Sequence, residues 1–166
     1  MIAPDTIEII HSAALPRAVR VVTPRTAVVL SRSGGAMGKL LPLLRLGIGG
    51  PLGNGRQYWP WITLPDVSSA FSFLLESPLS GPVNLCAPEA ADVNALIARL
   101  AAALHRPAVF RVPAPILRLV MGKLANELLL GSQRMEPALL AEAGFEWRHP
   151  SLAQAAAWAT GRELGQ

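Results

Sequence analysis

The segment "VRVVTPRTAVVLS", Val19 to Ser31, constrains the fold more than any other part of the chain. It is a long β-rich run with little polar alternation, the pattern of a strand buried on both faces of a parallel sheet. Such strands need helices to cover them, and the chain supplies helices in alternation. "GGAMGKLLPLLRLG" is a glycine-opened helical stretch ending at Gly47, with Pro42 inside it as a start or a kink. Pro24 interrupts the long run and predicts an edge, a bulge or two shorter pieces.

The alternation continues to the C-terminus. A weak helix is expected over 5–15 with Asp5 as a possible cap, and a short strand in "WPWITL". Asp66 to Glu76 reads as a helix with Val67, Ala70, Phe71, Leu74 and Leu75 on one face. "GPVNLCAP" reads as a strand and "DVNALIARLAAALH" as an amphipathic helix capped by Asp92. "AVFRVP" and "FEWR" are expected strands. "APILRLVMGKLANELLLG", "PALLAEAG" and "SLAQAAAWATG" are expected helices, the last capped by Ser151. "SQRMEP" is a short extended piece. The pattern predicts an α/β architecture with some parallel pairing.

At 166 residues the chain has the length of about one domain. A chain of that size can bury roughly 70% of its unfolded surface. Hydrophobic residues make up 51% and the mean hydropathy is +0.37, so an apolar exterior is expected. The longest apolar region, 113–130, is broken by Arg118, Lys123 and Glu127, which argues against a membrane span. "MIAPDTIEII" carries acids where a signal peptide carries bases. A single cysteine, Cys86, excludes an internal disulfide, so a reducing cytoplasm is the expected location. Thirteen arginines against two lysines give a net charge of +4. Either a GC-rich genome or anion binding accounts for that bias, since guanidinium groups chelate phosphates in pairs of hydrogen bonds. The arginines form no run and no aromatic-interleaved basic motif, so nucleic acid is not an expected partner.

A search for chemistry returns little. "GGPLGNG" has glycines, but a helix precedes it and a strand follows, the reverse of a dinucleotide fingerprint. His11, His105 and His149 have no partner at metal-ligand spacing and read as surface or turn histidines. Cys86 has no adjacent base and reads as a buried structural thiol. Four residues after the single tyrosine, Tyr58, stands Ile62 and not a lysine, and there is no G-x-S-x-G elbow. No catalytic residue and no metal site is predicted.

Several blocks carry a resemblance. "RTAVVLSRSGGAMGKLLPLLRLGIGGPLGNGRQYWPWI" closely resembles a segment of the epimerase family, a branch of the extended short-chain dehydrogenase/reductases. Further matches follow in order: "LSGPVNLCAPEAADVNALIARLAAALHRPA", "VPAPILRLVMGKLANELLLGSQRMEPALLAEAGF" and the terminal "PSLAQA". The resemblance covers about Arg20 to Ala157. It implies NADP or NAD as the family's cofactor and a nucleotide-sugar substrate class. It also implies that this chain is the C-terminal half alone: residues 1–50 as the last Rossmann strands with flanking helices, and 51–166 as a small α/β substrate-side domain. The family's glycine-rich nucleotide loop and Tyr-x-x-x-Lys pair would lie N-terminal to everything here, so the chain alone is expected to be inactive. The alternative is a non-catalytic binding or assembly module derived from that family. A separate Rossmann half, or self-association, is the implied partner.

The resemblance also assigns a site. Backbone amides of Gly53 to Gly55 and the Arg56 guanidinium would face a diphosphate, with Gln57 and Trp61 shaping the wall. The alternative is a tight glycine turn over core tryptophans with a solvated Arg56. Arg25 would sit near the cofactor, or else face inward and pair with an acid. Gln133 and Arg134 match a "GQR" piece that reads as structural. The chain departs from the family's W-I-H-I-x-D at Thr63 and Pro65, and the expected tryptophan–glutamate pair is missing around Ile10 and His11.

Overall fold

A computed structural model describes residues 19–48, 50, 57–108 and 132–162. The expected helices over 5–15 and 115–131, and nearly all of the expected strand "AVFRVP", lie outside them. The expected α/β class is what the structure has. Its described elements are β1 (Val22–Thr26), β2 (Val28–Leu30), α1 (Gly35–Arg45), β3 (Trp61–Thr63), α2 (Leu64–Glu76), β4 (Gly81–Leu85), α3 (Val93–Ala103), α4 (Ala138–Glu142) and α5 (Leu152–Ala159).

All strand pairing among these elements is parallel. β1 pairs with β4, Val22 opposite Gly81 through Thr26 opposite Leu85, and β2 pairs with β3, Val28 opposite Trp61 through Leu30 opposite Thr63. The run that begins at β1 changes partner at Ala27. The Ala27 N–H donates to Leu85 O at 3.0 Å, and the next residue, Val28, donates to Pro60 O at 2.9 Å. Consecutive amides in a strand point to opposite edges. β3 is then gripped on its other edge by the continuation of β4, where the Ala87 N–H donates to Trp61 O at 2.7 Å.

The same parity explains Pro24. Val21 O accepts from Gly81 and Ala27 N donates to Leu85, so the odd residues of the run face β4. Pro24 therefore turns its missing N–H away from β4 and costs that ladder nothing. The run is split into two pieces, at Ala27 and not at the proline.

Side-chain alternation along β3 divides the interior. Trp61 joins a cluster with Leu30, Met37, Leu41, Leu96 and Leu100, and Ile62 joins one with Ala70, Leu74, Val83, Leu85 and Leu140. Helices α1, α3 and α5 contribute to the first cluster, α2 and α4 to the second.

Helix ends follow their local chemistry. α1 keeps Pro42 inside it and closes through Gly47 (φ +73). α3 is capped by Asp92, whose carboxylate accepts the Ala95 N–H at 2.7 Å. α5 has a capping box in which Ser151 and Gln154 bond reciprocally.

Two expectations need correction. α2 begins at Leu64, with Thr63 as N-cap and a proline in its first turn, where a missing N–H costs nothing. It buries Ala70 and Leu74 but leaves Phe71 45% and Leu75 80% exposed, so the predicted face was drawn too wide. "FEWR" is not a strand. The Arg148 and His149 N–H groups bond to the Asp66 side chain, and the Phe145 N–H closes α4 on Leu140 O.

Candidate functional site

The glycine loop ends in an extended piece, Gln57–Pro60, clamped from both edges. The Val93 N–H donates to Gln57 O and the Trp59 N–H to Ala91 O, both at 3.0 Å. In between, the Tyr58 N–H donates to Ser132 Oγ and Tyr58 O accepts the Gln133 N–H, both at 3.2 Å. Backbone from two distant segments thus fixes where the loop returns to the fold. The Arg134 guanidinium lies 5.8 Å over the Tyr58 ring, and its Nε is 3.6 Å from the Glu136 carboxylate on the exposed surface. A shallow pocket at this seam is lined by Tyr58, Pro60, Glu89, Gln133 and Arg134.

Gly53, Gly55 and Arg56 lie outside the described residues. Gln57 follows them directly in sequence and is buried, and Trp61 is 1% exposed, its indole in the core. Arg25 is exposed on β1, opposite Asn84 in the β1–β4 register. Gln133 and Arg134 serve the loop's exit, Gln133 through its backbone and Arg134 by stacking.

A second constellation lies beyond the carboxyl ends of β2 and β3. Thr63, the last residue of β3, donates its hydroxyl to Asp66 Oδ2 at 2.7 Å, and both side chains are fully buried. Asp66 also accepts the Arg148 N–H at 2.7 Å on Oδ1 and the His149 N–H at 3.2 Å on Oδ2. The His149 Nδ1 is 3.0 Å from Thr63 Oγ1 and 3.5 Å from Asp66 Oδ2. The His149 ring lies 5.5 Å from that of Trp158. Arg32, two residues past β2, stacks on Trp158 at 5.2 Å and donates from Nε to its carbonyl at 3.1 Å.

This corrects the reading of His149 as a surface or turn histidine, since its side chain is only 13% exposed. Its partners are more than 80 residues away in sequence, so no local spacing signalled them. One sequence signal is present: Thr63 stands where the family pattern W-I-H-I-x-D has its imidazole.

Other candidates remain structural. Cys86 is buried, and burial first, then the Glu136 carboxylate, pushes its thiol up to about 11. That is the inert state of a cysteine. Among the described residues no group of three or more His, Cys, Asp or Glu is placed to hold a metal. Among the described residues the one strand-to-glycine-to-helix turn, after β2, does not fit a dinucleotide cradle. The β2–α1 turn reads Ser31-Arg32-Ser33-Gly34-Gly35, and the Ser31 hydroxyl is turned back onto Ser33 O at 2.7 Å. Among the described residues no helix is long and apolar enough to cross a membrane.

Residues 112–159 match a family described as a domain of unknown function, DUF1731. The epimerase family protein Mb2239 of Mycobacterium bovis is 40% identical over 144 residues, 86% of this chain and 48% of that protein. The crystal structure of the human epimerase family protein SDR39U1 with NADPH superposes with a TM-score of 0.82 at 34% identity, covering 91% of this chain and 52% of that one. A nucleoside-diphosphate sugar epimerase from Corynebacterium glutamicum superposes with a TM-score of 0.63 at 31% identity, over 87% of this chain and 27% of that one. The chain spans about half the length of the curated relatives it matches.

Proposed function

We propose that this chain, which belongs to the epimerase family as the C-terminal portion of an epimerase-like protein, forms the substrate side of a nucleotide-sugar site. The observation that carries the reading is the likeness, at 31% identity over 87% of this chain, to a nucleoside-diphosphate sugar epimerase. In this reading the amides of Gly53 and Gly55 and the Arg56 guanidinium receive the diphosphate. Gln57 and Trp61 hold the returning strand behind them, and Arg25 lies toward the cofactor.

The chain carries neither a strand–G-x-G-x-x-G–helix unit nor a Tyr-x-x-x-Lys pair. By itself it turns nothing over, because cofactor orientation and proton transfer each supply large rate factors. NADP or NAD belongs to the complete site, to which a Rossmann-fold polypeptide contributes. The cytoplasm is the compartment that suits such a site.

A second reading, an assembly module without chemistry, is favoured by one observation. Leu75, Phe71 and Leu64 leave apolar surface exposed along α2.

Titration with UDP-glucose tests the first reading. Binding is expected in about the millimolar range, because only one side of the site is present, and Arg56→Ala abolishes it with the fold intact. Equal affinity in the variant would leave Arg56 as a solvated turn residue.

A further inference from the structure

We propose that Thr63 and Asp66 lock His149, beyond the carboxyl ends of β2 and β3, in the tautomer with its proton on Nδ1, which leaves the Nε2 lone pair as the ring's one acceptor. The tautomer follows from counting protons. The Thr63 hydroxyl has one hydrogen, and the 2.7 Å contact with Asp66 Oδ2 uses it, since a carboxylate can only accept. Toward His149 Nδ1, 3.0 Å away, Thr63 Oγ1 can therefore only accept. Nδ1 must carry the hydrogen, and the Asp66 carboxylate, 3.5 Å off, favours the same arrangement. In the neutral ring Nε2 then holds the lone pair.

The platform is rigid. Thr63 and Asp66 are fully buried, and the carboxylate is further tied to two backbone N–H groups of the segment that carries the histidine. Trp158 lies beside the ring, and Arg32 is held on the same indole. Thr63 ends β3 and its register partner Leu30 ends β2, so the imidazole lies where ligands enter open parallel sheets. A proton taken from a donor onto Nε2 yields an imidazolium that keeps its Nδ1–H on Thr63. Asp66 Oδ2 lies 3.5 Å from that Nδ1. Thr63 and Asp66 are positioning residues in this account. It rests on the geometry alone and stands or falls apart from the diphosphate reading.

Long-range imidazole nitrogen correlation spectra of the 15N-labelled chain near neutral pH test it directly, with exposed His105 as the internal reference. The expected result is a protonated Nδ1 and a lone-pair Nε2 on His149, while His105 shows the mixture of a free imidazole. Thr63→Val and Asp66→Asn should move His149 toward that mixture, and Thr63→Ser should retain the lock. Side chains that only pack beside the ring, without hydrogen bonding to it, would leave the tautomer ratio unmoved. A wild-type His149 protonated on Nε2 with bare Nδ1 would overturn the proposal even if the variants fail to fold. A ratio unchanged in both folded variants would also overturn it.

Discussion

Asp66 and Arg148, 82 residues apart in sequence, meet through a 2.7 Å hydrogen bond from the Arg148 backbone N–H to the Asp66 carboxylate. That bond, with those from His149 and Thr63, staples the segment after α4 onto the start of α2. A carboxylate buried this completely is stable only because its oxygens are satisfied.

Asp66→Ala should therefore destabilise the fold, by on the order of 3 kcal/mol, since it leaves two backbone N–H groups and a hydroxyl without their acceptor. Asp66→Asn should cost less, because one amide oxygen still accepts. Thermal or urea unfolding of both variants measures this. An alanine variant as stable as the parent would mean that the staple contributes nothing.

The helix caps offer a smaller, cleaner effect. Asp92→Ala removes the acceptor for the Ala95 N–H, and Ser151→Ala removes half of the α5 capping box. Each is expected to lower stability by about 1 kcal/mol. Asp92→Asn should recover most of the loss, and chemical denaturation provides the comparison.

Cys86 sets a prediction at alkaline pH. Its thiol is pushed up to about 11 from an ordinary 9.0, first by burial and then by Glu136. The unfolded chain therefore loses this proton before the folded one does. The stability contributed is fully present below about 9, declines as pH rises above it, and is gone above about 11. Cys86→Ala should flatten the pH dependence of unfolding in that window. In the native state iodoacetamide should label Cys86 far more slowly than in denaturant. Equal labelling rates would show that the thiol is accessible.

Exposed Leu75 and Phe71 on α2 give a fourth expectation. Under the partner reading they mediate association, of the chain with itself or with a Rossmann-fold polypeptide. Light scattering across concentrations should show self-association in the parent chain that Leu75→Glu reduces. A strictly monomeric parent would remove self-association from the account.

How far the sequence reached can be judged element by element. α1, α3, α4 and α5 were legible because their caps and apolar periodicity are local. β1 and β2 were legible as one long apolar run, but their division at Ala27 was not, because it arises from a change of partner between β4 and β3. "FEWR" misled for the same reason. Its composition suits a strand, yet its surroundings offer the side chain of Asp66 in place of a ladder. At the loop's exit the hold on the Tyr58 backbone, by the Ser132 hydroxyl and the Gln133 N–H, is purely tertiary. The Thr63–Asp66–His149 cluster stayed hidden because only the folded chain brings residue 149 to the end of β3.

The central proposal, that this chain forms the substrate side of a nucleotide-sugar site and does not hold a cofactor by itself, is tested most directly by parallel titrations of the purified chain with UDP-glucose and with NADPH. Backbone amide spectra provide the readout. The account predicts weak, saturable shifts with UDP-glucose, centred on Gln57 to Trp61, and no saturable response to NADPH. Tight NADPH binding, or a UDP-glucose response confined to residues far from Gln57, would contradict it.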